Sequence, residues 1–520
     1  MGGELSANQA AINTKDMRLV LTINPETKTI SGFVETRYAL LDEKLKSLDL
    51  ELVDSLKVSK VLINEKPRPF KHGQNKLSIS LPEGLKGSLL ARIEYEGQPR
   101  EAIKPPWDGG FNWSRTDSGA PWVGVSCQGE GGQVWYPSKG HQVDKIEGLK
   151  LEITVPEPLY CAANGLLQKV EPAAPGWRTF HWASKYPISS YNVSLNVADY
   201  RVVEGTYKGS KDMPVVLYML KEYQKGDRAS GEAPYAEKIE TLKNLTVNYL
   251  TVLSKYYGEY AFIDEKFGLA HTAYLGMEHQ TINSYGGRFF QRNGVDNLMI
   301  HEMGHEWWGN KLTVSDLADF WIQEGICTYS TGVYLEDQKG LDEALIYYRS
   351  LWFRISNEVP LVQGVNITQG QAYVPDIYTK GALVVHALRW LVGKEMLDGI
   401  LYDFMNDDKV TYAKTASTKD LLAHAERRSG MKLDWFFNRY LHVAAAPKLT
   451  WQELDGNVVM SWDTESFNMP VEMEVTRGQE VTYERVPFIN GKGTWKIPGA
   501  SSFEVDPRRW VFKTIEGPKS

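Results

Sequence analysis

The run His301-Glu302-Met303-Gly304-His305 sets two imidazoles four positions apart, with a carboxylate beside the first. Asp296 reads as an N-cap and Gly309-Asn310 as a stop, so residues 297–308 are expected to form one helix. Side chains at i and i+4 share a helix face. His301 and His305 can therefore converge on one tetrahedral zinc ion, leaving room for a third protein ligand and a water. Glu302 then lies beside that water, where it can take a proton. Two histidines on an exposed helix face are the bland alternative for such a spacing. The next helix removes most of its weight: Trp321-Ile322-Gln323-Glu324-Gly325 brings a carboxylate with eighteen residues between it and His305, which completes the pattern H-E-x-x-H-x18-E. One Zn2+ per chain, held by His301, His305 and Glu324, is the expected cofactor.

Chain-wide properties set the frame for that cluster. At 520 residues the chain is too long for one core, so several domains are expected. Hydrophobic residues at 42% and charged residues at 24% are ordinary for a soluble globular protein. A net charge of −7 leaves no basic excess to neutralise phosphates, which argues against nucleic acid as a partner. Cys127, Cys161 and Cys327 are odd in number and far apart, so three buried thiols are expected rather than a disulfide framework or a C-x-x-C metal pair. No stretch approaches the roughly 20 apolar residues of a membrane span. The first residues have neither the basic nor the apolar region of a signal peptide. A soluble chain is expected, cytoplasmic as it stands, or periplasmic or secreted if a signal has been removed.

The elements that must position the cluster follow from periodicity. Apolar side chains alternate through Met17, Leu19, Leu21 and Ile23 before a turn at Pro25-Glu26-Thr27, and again through Leu149, Leu151, Ile153 and Val155. Period two between Pro, Gly and Asn clusters means half-buried strands. A polar, turn-rich break follows from Lys221 to Pro234. The period then becomes 3.6, with Ile239, Leu242, Leu245, Tyr249 and Leu253 on one helical face that ends at Gly258. Further helices are expected over 318–337, 341–357, 378–405, 419–428 and 433–442. After Ala444-Ala445-Ala446-Pro447 strands return, with Val471, Met473 and Val475 alternating and Asn490-Gly491 as a hairpin turn. The expected fold class is multidomain α+β. It comprises an N-terminal β-sheet domain over 1–204, a mainly α catalytic domain over 205–443 and a small C-terminal β-sandwich over 444–520.

The segment from His301 to Asn310 (HEMGHEWWGN), followed by WIQEG at 321–325, resembles the gluzincin core of the M1 metallopeptidases, the aminopeptidase N family. That family carries a G-x-M-E-N motif upstream of its zinc helix, where this sequence has Tyr274-Leu275-Gly276-Met277-Glu278-His279. The resemblance implies that Glu278 holds the free α-amine of the substrate. A fixed anion near the metal would select a terminal ammonium by a charge-assisted hydrogen bond. It also implies Tyr378, in Ile377-Tyr378-Thr379-Lys380-Gly381, as donor to the developing oxyanion. Gln128, in Val125-Ser126-Cys127-Gln128-Gly129, would meet the amine from the N-terminal domain, with Gly276 and Met277 beside the substrate and Tyr274 lining the first side-chain pocket. The implied protein is a zinc aminopeptidase with a thermolysin-like catalytic domain, acting on peptides with a free N-terminus. Two features depart from the family. His279 replaces the motif asparagine, which leaves the amine carboxylate intact but bears on how the substrate backbone docks. Only a β-type tail follows Pro447, where typical members have a large helical domain that caps the cleft. A more open cleft is expected, or one closed by a second subunit of a homo-oligomer.

Other features have simpler readings. Trp307 and Trp308 are expected in the core rather than as a substrate platform. Gly129 to Gly132 lacks the Gly-Lys-Ser/Thr ending of a phosphate loop. His141, His271, His386 and His424 have no ligand spacing. Three competing functions stay open: a thermolysin-like endopeptidase, an added epoxide hydrolysis as in the leukotriene hydrolase branch of the family, and a catalytically silent peptide-binding protein.

Overall fold

Alternation along Met17, Leu19, Leu21 and Ile23 produces the strand Ile12–Asn24, and the computed structural model buries all four side chains. The structure describes residues 1–224, 234–287, 289, 291, 294–499 and 502–518. Asn24 Oδ1 accepts the Glu26 amide at 3.0 Å and closes the expected turn into the antiparallel strand Thr29–Leu40. On its other edge Ile12–Asn24 runs parallel to Gly148–Pro156, with Leu19 opposite Leu151 and Leu21 opposite Ile153. These strands lie within an eight-stranded sheet. A second, four-stranded sheet orders Tyr160–Ala163, Leu195–Ala198, Pro121–Ser126 and Gly110–Arg115. Pro121–Ser126 stops two residues short of Gln128.

A third sheet leads to the chemistry. Its order is Tyr200–Lys208, Asp212–Leu220, Phe267–His271, Asn283–Tyr285 and Gly276–Met277. The second and third of these strands are parallel, so the chain crosses between them through the helix Tyr235–Tyr257. That helix buries Ile239, Leu242, Tyr249 and Leu253 and ends at Gly258, whose φ of +91° suits glycine. The expected break from Lys221 to Pro234 falls mostly on residues 225–233, outside the described residues. Gly276–Met277 is the edge strand, and the chain leaves it at Glu278.

Two compact units result. One holds residues 1–315 with 368–370 and 408–415; the other holds 316–367, 371–407 and 416–520. The three sheets and the helix bearing both histidines belong to the first. The second contains the helices Trp321–Lys339, Leu341–Leu351, Asp376–Val392, Lys394–Met405, Thr418–Ser429 and Asp434–Leu441. The single helix expected over 378–405 is two, because Gly393 adopts φ +94°, which no continuous helix accommodates. Likewise the helix expected over 341–357 ends at Leu351 and tightens into a 3-10 turn, Trp352–Arg354.

The C-terminal strands form two small sheets. One contains Lys448–Leu454, Asn457–Trp462, Lys492–Lys496 and Thr514–Glu516; the other contains Val471–Arg477, Glu480–Val486 and Ser502–Val505. Val458, Met460 and Trp462 from the first and Val471, Met473 and Val475 from the second are buried, as in a β-sandwich. Asn490 and Gly491 both take positive φ, as a type I′ hairpin turn requires. The three cysteines are free, buried thiols. Among the described residues no helix is long and apolar enough to cross a membrane.

Candidate metal and peptide site

The helix carrying the two histidines is short and strongly capped. Asp296 Oδ1 accepts the amides of Leu298 and Met299, both at 3.1 Å. Tyr285 OH donates to Asp296 Oδ2 at 2.6 Å, and Tyr249 OH accepts the Asp296 amide at 2.8 Å. Burial pushes the Asp296 carboxyl up to about 6. The helix runs over Asn297–Gly304 rather than to Trp308. Trp307 and Trp308 both pack edge-on against Tyr257 and are fully buried. On a continuing helix consecutive side chains diverge by about 100°. The chain therefore leaves the helix, and Asn310, Lys311 and Leu312 donate to carbonyls five residues back. His305, as the C-cap, keeps helical dihedrals, so it stays one turn from His301 on the same face.

Those two imidazoles suit a zinc ion. Their Nε2 atoms are 3.2 Å apart. Two Zn–N bonds of about 2.05 Å at a tetrahedral angle place the nitrogens about 3.3 Å apart. His305 Nδ1 donates to Trp308 O at 2.9 Å, which leaves the Nε2 lone pair directed to the shared point. The next residue, Glu306, is buried and accepts from Thr281 N (3.0 Å) and Asn283 Nδ2 (2.8 Å). Burial raises its carboxyl to about 8. The end of the histidine helix is thus tied to the segment that follows Glu278.

Glu278 sits where the edge strand ends, almost wholly buried. Its Oε1 accepts from Gln128 Nε2 at 2.7 Å and from Tyr191 OH at 3.0 Å, while its backbone carbonyl accepts Asn310 Nδ2 at 2.8 Å. Ligand atoms of Glu278, Glu302 and His305 all lie within 4.8 Å of one another. Gly276 makes that approach possible: a Cβ there would stand 2.7 Å from Glu302 Oε1 and 2.9 Å from Leu298 Cδ1. Met277 is buried beside it. Tyr274 is also buried, with its hydroxyl on Val125 O (3.0 Å) and Ser284 Oγ (2.8 Å). His279 turns Nδ1 to Ser284 Oγ at 3.1 Å. Burial holds its imidazole down to about 3, so it is neutral.

Glu324 and Tyr378 belong to the second unit. Glu324 is buried in the first turn of Trp321–Lys339, and Tyr378 is half-buried in the first turn of Asp376–Val392. The two helices cross at glycines; a Cβ on Gly381 would meet Gly325 Cα at 2.9 Å. That crossing fixes Glu324 and Tyr378 relative to each other. Tyr373 and Tyr378 share a hydrogen bond between hydroxyls, 2.6 Å long. Lys380 Nζ donates to Ala444 O at 2.6 Å and locks the same helix to the connector before the β-sandwich. Sequence reasoning missed Tyr191, Tyr373 and the Asn310 side chain. Asn310 stood within the motif run but was read only as a helix stop, and the tyrosines carry no spacing signal.

The chain is similar to known proteins. Residues 288–440 match the profile described as the Peptidase family M1 domain. Leukotriene A-4 hydrolase of Xenopus laevis is 23% identical over 436 residues, covering 77% of this chain and 66% of that protein. Leucine aminopeptidase 2 of Candida glabrata is 22% identical over 342 residues, 62% of this chain and 47% of that one. The chain thus spans less than two thirds of the length of these relatives. An M1 zinc metallopeptidase from Deinococcus radiodurans has a crystal structure that superposes with a TM-score of 0.71 at 21% identity, covering 86% of this chain and 96% of that one. The fold is that of a two-domain M1 metallopeptidase: an N-terminal β domain, a helical domain and C-terminal β strands.

Proposed function

The chain carries a peptidase family M1 domain over residues 288–440, and from that premise we propose that it is a zinc-dependent aminopeptidase. The observation that carries this reading is the Glu278 carboxylate, buried and held by Gln128 and Tyr191 within reach of Glu302 and His305. A peptidase that cuts inside chains has no use for a fixed anion there. A terminal ammonium does.

In this assignment His301, His305 and Glu324 would hold one zinc ion, with Glu302 as the general base and Tyr378 as the oxyanion donor. Zinc, when bound, supplies a Lewis acid that polarises the scissile carbonyl and acidifies a water. Glu302 accepts a proton from the attacking water and returns it to the amine nitrogen as the C–N bond breaks, leaving a carboxylate and a free amine. The Tyr378 phenol donates to the carbonyl oxygen as it gains charge, steadied by Tyr373. Glu278, with Gln128, holds the α-ammonium one residue from the cut. Gly276 and Met277 lie along the substrate backbone, and Tyr274 forms part of the first side-chain pocket. Segment 1–204 supplies Gln128 and Tyr191, segment 205–443 supplies the ligands and the base, and segment 444–520 braces the Tyr378 helix through Lys380. Zinc analysis of the purified protein, with hydrolysis of paired free and N-acetylated aminoacyl amides, tests the reading. One zinc per chain and a strong preference for the free-amine member are expected; equal cleavage of both would make the enzyme an endopeptidase.

Gly276 gives a sharper check on the base. A methyl group at this position would stand 2.7 Å from Glu302 Oε1 and 2.9 Å from Leu298 Cδ1, so both must shift, and the carboxylate is the far end of a flexible side chain. Gly276→Ala therefore swings the base away. A misplacement near 1 Å costs on the order of a hundredfold, so kcat should fall about that far with zinc content unchanged. A variant with wild-type kcat would show that Glu302 does not act from this position.

A further inference from the structure

The turn Ser190–Asn192 is a buried hub, and apart from the Tyr191 contact with Glu278 its side chains have no place in the scheme above. Tyr136 OH donates to Ser190 O at 2.6 Å, Cys127 Sγ to Tyr191 O at 3.5 Å and Asn164 Nδ2 to Asn192 O at 2.9 Å. All three carbonyls of the turn are held, so Tyr191 and Asn192 leave it in fixed directions. Both lead to Glu278. Tyr191 OH donates to Glu278 Oε1 at 3.0 Å. Asn192 Nδ2 donates to Asn310 Oδ1 at 2.6 Å, and Asn310 Nδ2 donates to the Glu278 carbonyl at 2.8 Å. Lys145 Nζ donates to Asn310 O at 2.7 Å and holds the relay from behind.

We propose that Tyr191 is a positioning residue for recognition of the substrate's α-ammonium, a role that rests on the aminopeptidase reading and deepens it. Gln128 and Tyr191 donate to the same carboxylate oxygen from different segments of the chain. With one donor the carboxylate can still pivot about that bond. With two it cannot, and Oε2 keeps a single direction. The relay through Asn192 and Asn310 fixes the backbone of Glu278 in the same way. Tyr191 thus acts through Glu278 and lowers the ordering cost of binding an ammonium.

The test compares binding of two hydroxamates by calorimetry to the zinc-loaded protein: leucine hydroxamate, and isocaproyl hydroxamate, which lacks only the amine. Wild type is expected to favour the amine-bearing ligand. Tyr191→Phe should weaken leucine hydroxamate about tenfold and leave isocaproyl hydroxamate within about twofold. Tyr136→Phe loosens the turn without touching Glu278 and should lower the same selectivity by a smaller factor. Unchanged selectivity in Tyr191→Phe, or equal weakening of both ligands, overturns the role of Tyr191 while leaving the aminopeptidase reading intact. A wild-type protein that binds both ligands alike overturns that reading, and the role of Tyr191 with it.

Discussion

Glu302→Gln is expected to lower turnover of free aminoacyl amides by about a thousandfold while the purified variant keeps its zinc. Glutamine has the volume and hydrogen-bonding reach of glutamate, so the helix Asn297–Gly304 and its Asp296 cap should persist. What it lacks is a site that accepts a proton near neutral pH. Glu302 is not one of the proposed ligands, so losing its charge leaves the His301 and His305 nitrogens at the spacing zinc requires. Metal content and kcat should therefore separate in this variant, whereas His301→Ala would lose both together. Near-native turnover in Glu302→Gln would remove Glu302 from the mechanism. Loss of zinc along with activity would make it a structural part of the metal site instead.

The parts legible in the sequence are those in which local periodicity dictates geometry. Alternating Met17, Leu19, Leu21 and Ile23 could only be a strand with one buried face, and that strand lies within the eight-stranded sheet. The two histidines were legible for the same reason, since a four-residue spacing on a helix is already a distance. The end of their helix was not, because it depends on two neighbouring indoles finding space against Tyr257, some fifty residues upstream. Gly393 is similar. A single glycine in an apolar run is tolerated by a helix, and only the packing of the two halves gives it a φ of +94°.

Site residues divide along the same line. Glu278 could be found because a motif surrounds it. Tyr191 could not: 87 positions separate it from Glu278, and nothing in its own neighbourhood distinguishes it from the other tyrosines. Tyr373 lies only five positions before Tyr378, yet its hydroxyl meets that of Tyr378 only because both rings project from the start of one helix and the loop before it. Pairwise polar contacts of this kind have no sequence period to reveal them. They nonetheless decide which way a carboxylate or a phenol points.

On the aminopeptidase reading, Glu278 is the residue that selects a free chain end. Glu278→Gln should lower kcat/KM for free aminoacyl amides by about a hundredfold, and the ratio of free to N-acetylated cleavage should collapse with it. The amide oxygen of the new side chain can still accept from Gln128 and Tyr191, so those two contacts persist and the loop geometry should hold. The amide nitrogen then occupies the direction of Oε2 and presents N–H groups to an ammonium. A charge-assisted bond of roughly 1.5–3 kcal/mol is replaced by two donors facing each other, which accounts for a loss at the upper end of that range. Because the ammonium is held before and during the reaction, KM should rise as well as kcat fall. The N-acetylated amides, which make no such contact, should react at their low wild-type rate. Parallel loss on both substrate classes would mean that Glu278 serves the metal site rather than the amine. An unchanged preference for free amines would move amine recognition to another residue altogether.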